Sequence, residues 1–287
     1  MRITNFMLSS RGLQDLQGNY AAMAKAQEQV SSGKRLNRPS DNPSDVQHSI
    51  KLNEGLAAIN QYLRNIDAGQ RMTSTAETAL SSATDSVQRL KELAVQTANG
   101  TLSAQNRADV LQEVQQISDQ LVSLANAKID TDYVFSGQKT GTPPYANAAA
   151  VYGGDAGAIN ARISPGVTVQ VNVTADTAFG PALAAATQLA ADLASGNPTQ
   201  QTTLAALDAG LSGILAARAR IGAVDNRLTN TRTFLGDTQI STTSMLSQLV
   251  DADMASAITN AASRQATYQA AIAVNARILQ KSLINEL

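Results

Sequence analysis

Apolar residues recur at alternating steps of three and four over the first thirty positions of the chain. This spacing predicts an amphipathic helix with a narrow apolar stripe, of the kind that packs in coiled coils. Ser31, Ser32 and Gly33 then indicate the helix end. Pro39 and Pro43 lie among Asp, Asn and Ser residues, so positions 34 to 45 are predicted to form an ordered turn region. The apolar stripe consists of Leu13, Leu16, Tyr20, Met23 and Val30.

The same helical spacing returns in five further segments of the chain. A second long helix is predicted from position 44 or 45 to about 99, and a third begins near Ser103. After Pro181 helical pattern resumes until a Gly-Asn-Pro break at 196–198, and it continues from about 199 to 240. The last segment, about 243 to 287, carries Met254, Ile258, Tyr268, Ile272 and Leu279 on its stripe.

One segment between the helices has the period of a strand instead. Val167, Val169, Val171 and Val173 alternate with polar residues, which is typical of a half-buried strand. Ile159, Ala161 and Ile163 are its predicted hairpin partner across Ser164 to Gly166. A small β-rich insertion is therefore expected on the outside of the helices.

Both chain ends are helices with sparse stripes that polar residues such as Gln27, Gln265 and Asn275 interrupt. A lone helix of this kind gains little stability in water, so each end requires a partner. The partners are the other end and the same segments of neighbouring copies; a bundle closed within one chain is the alternative. We predict that the two stripes pack on each other as an assembly interface.

The predicted fold class is mainly α with a small β-rich insertion (α+β), an elongated rod of long helices whose terminal helices form a coiled coil. Three domains are expected. Residues 1–44 with 245–287 form the terminal assembly domain, 45–132 with 181–244 the helical middle domain, and 133–180 the β-rich outer lobe.

The residue inventory excludes several function classes. The 287 residues contain 22 Lys and Arg against 23 Asp and Glu, so a strongly basic nucleic-acid binder is not expected. The chain has no cysteine and one histidine, His48, which excludes thiol catalysis and Cys- or His-rich metal sites. Asp41 and Asp45 are interpreted as turn or cap residues rather than cation ligands. We predict no catalytic, cofactor or metal site, no membrane insertion and no cleaved signal peptide.

Several segments of the sequence carry a family resemblance. They resemble the flagellin superfamily of bacterial flagella, and within it the hook–filament junction family. Arg38 to Pro43, RPSDNP, is similar to the RPSDDP of that family, with Asn42 as a departure, and Phe135 to Gln138 precedes a short insertion where flagellins carry a larger outer domain. The resemblance rests on residues 1–10, Ser31–Val46, Asp132–Gly137, Ile221–Leu228 and Asp251–Leu287.

The resemblance implies a structural subunit and not an enzyme. Such subunits leave the cell through the flagellar type III export apparatus, with an export chaperone, and assemble between the first hook-associated protein and flagellin. Their terminal helices form the inner coiled-coil tube. The implied location is extracellular, at the hook–filament junction. Two alternatives stay open: a flagellin filament subunit, and a cytosolic coiled-coil adaptor that binds amphipathic helices.

Overall fold

The computed structural model describes residues 5–98, 103–196 and 199–284, with the backbone alone for 5, 6, 8, 9 and 278–284. Most of these residues form long helices, and two antiparallel two-stranded sheets are also present. The mainly α fold with a small β component is thereby confirmed. In chain order the elements are α1 (Asn5–Ser32), α2 (Pro43–Ala98), α3 (Ala104–Ala125), β1 (Lys128–Ile129), β2 (Asp132–Tyr133), β3 (Asn160–Ser164), β4 (Val167–Gln170), α4 (Ala175–Ala178), α5 (Gly180–Ala194), α6 (Gln201–Val250) and α7 (Met254–Ile284).

Local chemistry sets most helix ends where the sequence placed them. α1 stops at Ser32 because Gly33 adopts a left-handed φ of 69°. Pro43 opens α2, where its missing N–H costs no helical hydrogen bond. The Ser103 hydroxyl accepts a hydrogen bond from the Asn106 amide at 3.2 Å and caps α3.

The predicted boundary between the last two long helices was wrong by about ten residues. α6 continues to Val250 instead of ending near position 240. The Thr242 hydroxyl donates to the carbonyl of Thr238 at 2.7 Å within this continuing helix. The break falls at 251–253, where the Asp253 carboxylate accepts from the Ala255 amide at 3.1 Å and starts α7.

The predicted hairpin forms, but its second strand is shorter than the alternating valines suggested. β3 and β4 pair antiparallel, and β4 ends at Gln170 rather than running to Val173. Beyond Gln170, the buried side chain of Asn172 makes hydrogen bonds to the facing segment in place of further strand pairing. Its Oδ1 accepts from the Ile159 amide and its Nδ2 donates to the Gly157 carbonyl, both at 2.9 Å.

The chain divides into two compact units. Unit 1 comprises Met1–Ala58 with Thr238–Leu287, and unit 2 comprises Ile59–Asp237. The finer three-domain division stays a prediction. Unit 2 holds two apolar cores. The larger lies among α2, α3, α5 and α6 and includes Phe135 and Phe179, whose rings meet edge to face at 5.1 Å. The smaller lies under the β3–β4 hairpin and consists of Ile59, Ile66, Ile163, Val169, Val171, Leu228 and Leu235.

Candidate assembly surface

The terminal helices α1 and α7 pack against each other within unit 1. Gly12 faces Asn275, and the Tyr20 ring lies 5.7 Å from the Tyr268 ring. Positions rise along α1 as they fall along α7, so the two helices are antiparallel. We call α1 and α7 the terminal helix pair.

The structure places the ten residues of the predicted assembly interface on this helix pair or at its start. It brings Tyr20 and Tyr268 together. Leu16, Met23, Val30 and Tyr268 are half-buried. The remaining described ones stay exposed: Leu13 60%, Tyr20 56%, Met254 40%, Ile258 54% and Ile272 45%. Leu279 lies in α7, but its side chain is outside the described residues. Their joint role in assembly stays a prediction.

Small residues make the closest approaches in this unit, and the sequence reasoning missed them. Ala26 is 3% exposed and Ala257 is 9% exposed. A Cβ on Gly12 would lie 2.0 Å from Oδ1 of Asn275, so only glycine fits there with the asparagine in place. Gly and Ala residues at helical spacing could have indicated this close packing, but the prediction considered only large apolar side chains.

Unit 1 buries very little apolar surface for the number of apolar side chains it carries. Among its described residues, Ala26 and Ala257 are the only fully buried apolar ones. Full burial of a Leu, Ile or Met side chain is worth about 1.5–3 kcal/mol, so a half-exposed one has roughly 1 kcal/mol still to gain. An apolar surface of this kind marks a region that packs against a partner. The exposed large apolar residues are Met7, Leu13, Tyr20, Ile50, Ile240, Met245, Met254, Ile258, Ile272 and Val274.

The predicted turn region is ordered by contacts to the α6–α7 connection. The Arg35 amide donates to the Val250 carbonyl at 2.7 Å. The Arg35 guanidinium donates to the Asp45 carboxylate and to the Leu249 carbonyl, both at 2.8 Å. One arginine therefore ties the turn after α1 to the start of α2 and the end of α6.

Asp41 organises the other side of the same turn. Its carboxylate pairs with the Lys25 ammonium at 2.7 Å and accepts from the amides of Asn37 and Arg38 at 3.1 and 3.0 Å. The hydrogen bond from Lys25, supported by those two amides, lowers the pKa of Asp41 to about 2. These contacts agree with a turn role for this aspartate.

Within residues 5–98, 103–196 and 199–284, no three or more His, Asp or Glu side chains form a cluster that could hold a metal ion. None of the helices in these residues has the length and apolar character needed to cross a lipid bilayer.

Two family models match the chain. The bacterial flagellin N-terminal helical region matches residues 3–140, and the bacterial flagellin C-terminal helical region matches residues 204–287. Flagellar hook-associated protein 3 of Escherichia coli K12 is 27% identical over 299 residues, which cover 94% of each chain. A flagellin of Listeria monocytogenes is 27% identical over 263 residues, covering 89% of this chain and 88% of the other.

Solved structures give the same picture of the fold. A chain assigned as a flagellar hook-associated protein from Vibrio parahaemolyticus superposes with a TM-score of 0.67 and 25% identity, over 74% of this chain and all of that one. Bacillus cereus FlgL superposes with a TM-score of 0.62 at 21% identity, over 69% of this chain and 99% of that one. The chain belongs to the bacterial flagellin superfamily.

Proposed function

We propose that the chain is a structural subunit of the bacterial flagellum that joins the hook to the filament by polymerising through its terminal helices. The similarity to flagellar hook-associated protein 3 over 94% of both chains supports this role. The agreement of the flagellin models with both ends of the chain supports the use of those ends in assembly.

The observation that carries the proposal is the near absence of an apolar core among the described residues of unit 1. Its described residues leave ten large apolar side chains exposed while burying only two alanines. Copies that pack their terminal helix pairs together would remove this surface from water. Each half-exposed residue would then contribute roughly 1 kcal/mol of hydrophobic free energy to association, and these contributions add up over the ten side chains. Polar members such as Asn275 then restrict the register in which the helices pair.

The finer parts of the proposal concern partners and location. We propose that the subunit sits outside the cell between the first hook-associated protein and flagellin. It would reach that place through the flagellar type III export apparatus with an export chaperone, without cleavage of a signal peptide. The absence of cysteine in the sequence supports passage as an unfolded chain, since no disulfide has to be opened or formed. We propose no enzymatic activity.

A double substitution tests the interface. Leu16→Asp with Ile272→Asp places a charge on each terminal helix, where Leu16 is half-buried and Ile272 is 45% exposed. We expect unit 2 to stay folded by circular dichroism, and filaments to be lost from the hooks of cells that carry only this variant. Val151→Asp is the matched control because Val151 is 90% exposed in unit 2. Normal filament attachment by the double variant would defeat the assignment.

A flagellin filament subunit is the second candidate, favoured by the match to the Listeria flagellin over 89% of this chain. Electron microscopy of a deletion strain separates the two. Loss of a junction subunit leaves hooks and sheds filaments into the medium, whereas loss of the sole flagellin leaves no filament material. Recovery of the chain at unchanged mass in the sheared extracellular fraction would exclude a cytosolic adaptor.

A further inference from the structure

Two pairs of tyrosine rings lie in contact among the residues that the structure describes. The Tyr20 and Tyr268 rings are 5.7 Å apart, with an interplanar angle of 53°. The Tyr145 and Tyr152 rings are 5.8 Å apart, with the same angle of 53°. Aromatic rings attract each other at such separations. The geometry of the two pairs is therefore matched, and a difference in their chemistry has to come from their surroundings.

The pair formed by Tyr145 and Tyr152 is enclosed by the protein. Tyr145 is 4% exposed, and the Tyr152 hydroxyl is shared between the carbonyls of Phe135 and Asp155 at 2.9 and 3.0 Å. Burial, and then the charge of Asp176, raises the pKa of Tyr145 to about 12. Burial, and then the Asp155 carboxylate, raises the pKa of Tyr152 to about 12. These surroundings shield the pair from an oxidant in solution and keep both phenols protonated.

The pair between the terminal helices is open to solvent instead. Tyr20 lies on α1 with 56% of its surface exposed, and Tyr268 is half-buried on α7. Exposed side chains change rotamer within picoseconds to nanoseconds. Small rotations of the Tyr20 side chain can therefore bring the edges of the two rings together while the helices stay packed.

Two phenols held in contact can be coupled by one-electron oxidation. A haem peroxidase that has reacted with hydrogen peroxide takes one electron and one proton from each phenol, which leaves two phenoxyl radicals. The radicals join through a carbon–carbon bond between the ring positions next to the oxygens, and the hydrogen on each of these carbons then moves to its ring's oxygen. The product is dityrosine. The two hydrogens that were removed reduce one hydrogen peroxide to two molecules of water.

We propose that Tyr20 and Tyr268 form a cross-linking site, at which a haem peroxidase with hydrogen peroxide joins α1 to α7 through dityrosine. The bond connects positions near the two ends of the sequence, so it restricts the unfolded chain over most of its length and stabilises the terminal helix pair. The site belongs to the single chain and does not depend on the proposed function. It is open before the packing of further copies covers Tyr20.

Peroxidase treatment of the dilute full-length chain tests the site. Trypsin places Tyr20 in peptide 12–25 and Tyr268 in peptide 265–277, and each peptide contains one tyrosine. We expect a joined peptide whose mass is the sum of the two less two hydrogens, from a product that migrates as a single chain on a denaturing gel. Joined peptides found only in linked copies, or no joined peptide, would overturn the proposal.

Conservative variants identify the rings that react. Tyr20→Phe and Tyr268→Phe should each abolish the joined peptide. Tyr62→Phe is the matched control, because Tyr62 is half-buried on another helix, α2, and it should leave the yield unchanged. The tryptic peptide 140–162 contains both rings of the enclosed pair and should keep its mass. Equal coupling of the enclosed pair would overturn selection of the site by exposure.

A displaced tyrosine separates ring contact from exposure alone. Leu13 is 60% exposed, close to the 56% of Tyr20, and lies two turns earlier on the same side of α1. The variant Leu13→Tyr with Tyr20→Phe shifts the phenol by about 10 Å at 1.5 Å per residue. It should form no bond to Tyr268. A joined peptide at the natural yield would show that contact within the folded chain does not select the site, which would also overturn the proposal.

Hydrogen exchange measures the effect of the bond on the helices. In the cross-linked fraction the amides of α1 and α7 should exchange more slowly than in Tyr20→Phe treated with the same oxidant, because the two helices can no longer separate. Unchanged exchange in chains that contain dityrosine would overturn the stabilising effect.

Discussion

Gly210 is the position in unit 2 where a single methyl group tests the packing most directly. It lies buried on α6 where that helix crosses α5. A Cβ built there would lie 2.7 Å from Cα, 2.9 Å from N and 3.0 Å from Cβ of Ala182. Two of these atoms are backbone, so no side-chain rotation relieves the contact. Gly222, also on α6, has no atom within 4 Å of its built Cβ and provides a matched control.

The expected energies follow from two opposing terms. Replacing glycine by alanine within a helix gains about 0.8–1 kcal/mol of helix propensity, and this gain is the same in both variants. Carbon atoms pack at about 3.5–4.0 Å, so the two helices must separate by roughly 1 Å at residue 210. Overpacking of a core costs about 1–3 kcal/mol. Gly222→Ala should therefore stabilise the protein by up to about 1 kcal/mol.

Gly210→Ala should be less stable than Gly222→Ala by the packing cost alone, because the propensity gain cancels between the two. That difference of about 1–3 kcal/mol corresponds to roughly 2–12 °C in Tm for a domain of this size. Urea and thermal unfolding of the full-length chain, followed by circular dichroism, measure it. Equal stability of the two variants would refute the close helix crossing.

Two further predictions concern unit 1. Gly18→Ala should increase hydrogen-exchange protection of the assembled terminal helices about fivefold by helix propensity, because a Cβ there meets nothing within 4 Å. Gly12→Ala should gain less hydrogen-exchange protection than Gly18→Ala, because the added methyl group displaces the Asn275 side chain. An equal gain in protection in both variants would contradict this contact. Asp41 has a lowered pKa from its pairing with Lys25, so the stability it gives the turn is present above about pH 4 and lost as the pH falls through about 2. Cleavage of residues 34–45 by pepsin, normalised at each pH to pepsin's cleavage of an unfolded peptide, should rise across that interval in the natural chain and stay constant in Asp41→Asn. Parallel normalised rises in both would exclude this aspartate as the cause.

Local signals in the sequence were sufficient for most helices and for the hairpin. The α1 end depends on Gly33, the α3 start on Ser103, and the β3–β4 pairing on alternation across Gly166. Each depends on a residue and its near neighbours, which is why it is readable from one sequence. The α6–α7 break was misplaced because Ser241, Thr242 and Thr243 are weak helix formers, whereas α6 continues through them and the chain breaks only before the Asp253 cap of α7.

The sequence by itself determined that the terminal segments are amphipathic helices with thin apolar stripes, because a repeat of three and four fixes which residues share a helix face. The tertiary structure alone decided which of those residues are covered. It buries Ala26 and leaves Leu13 exposed, and it sets Gly12 against Asn275 and Gly210 against Ala182. The distance between two helix axes depends on the smallest side chains at the crossing, and residues far apart in the chain meet there. No periodicity within one helix contains that information.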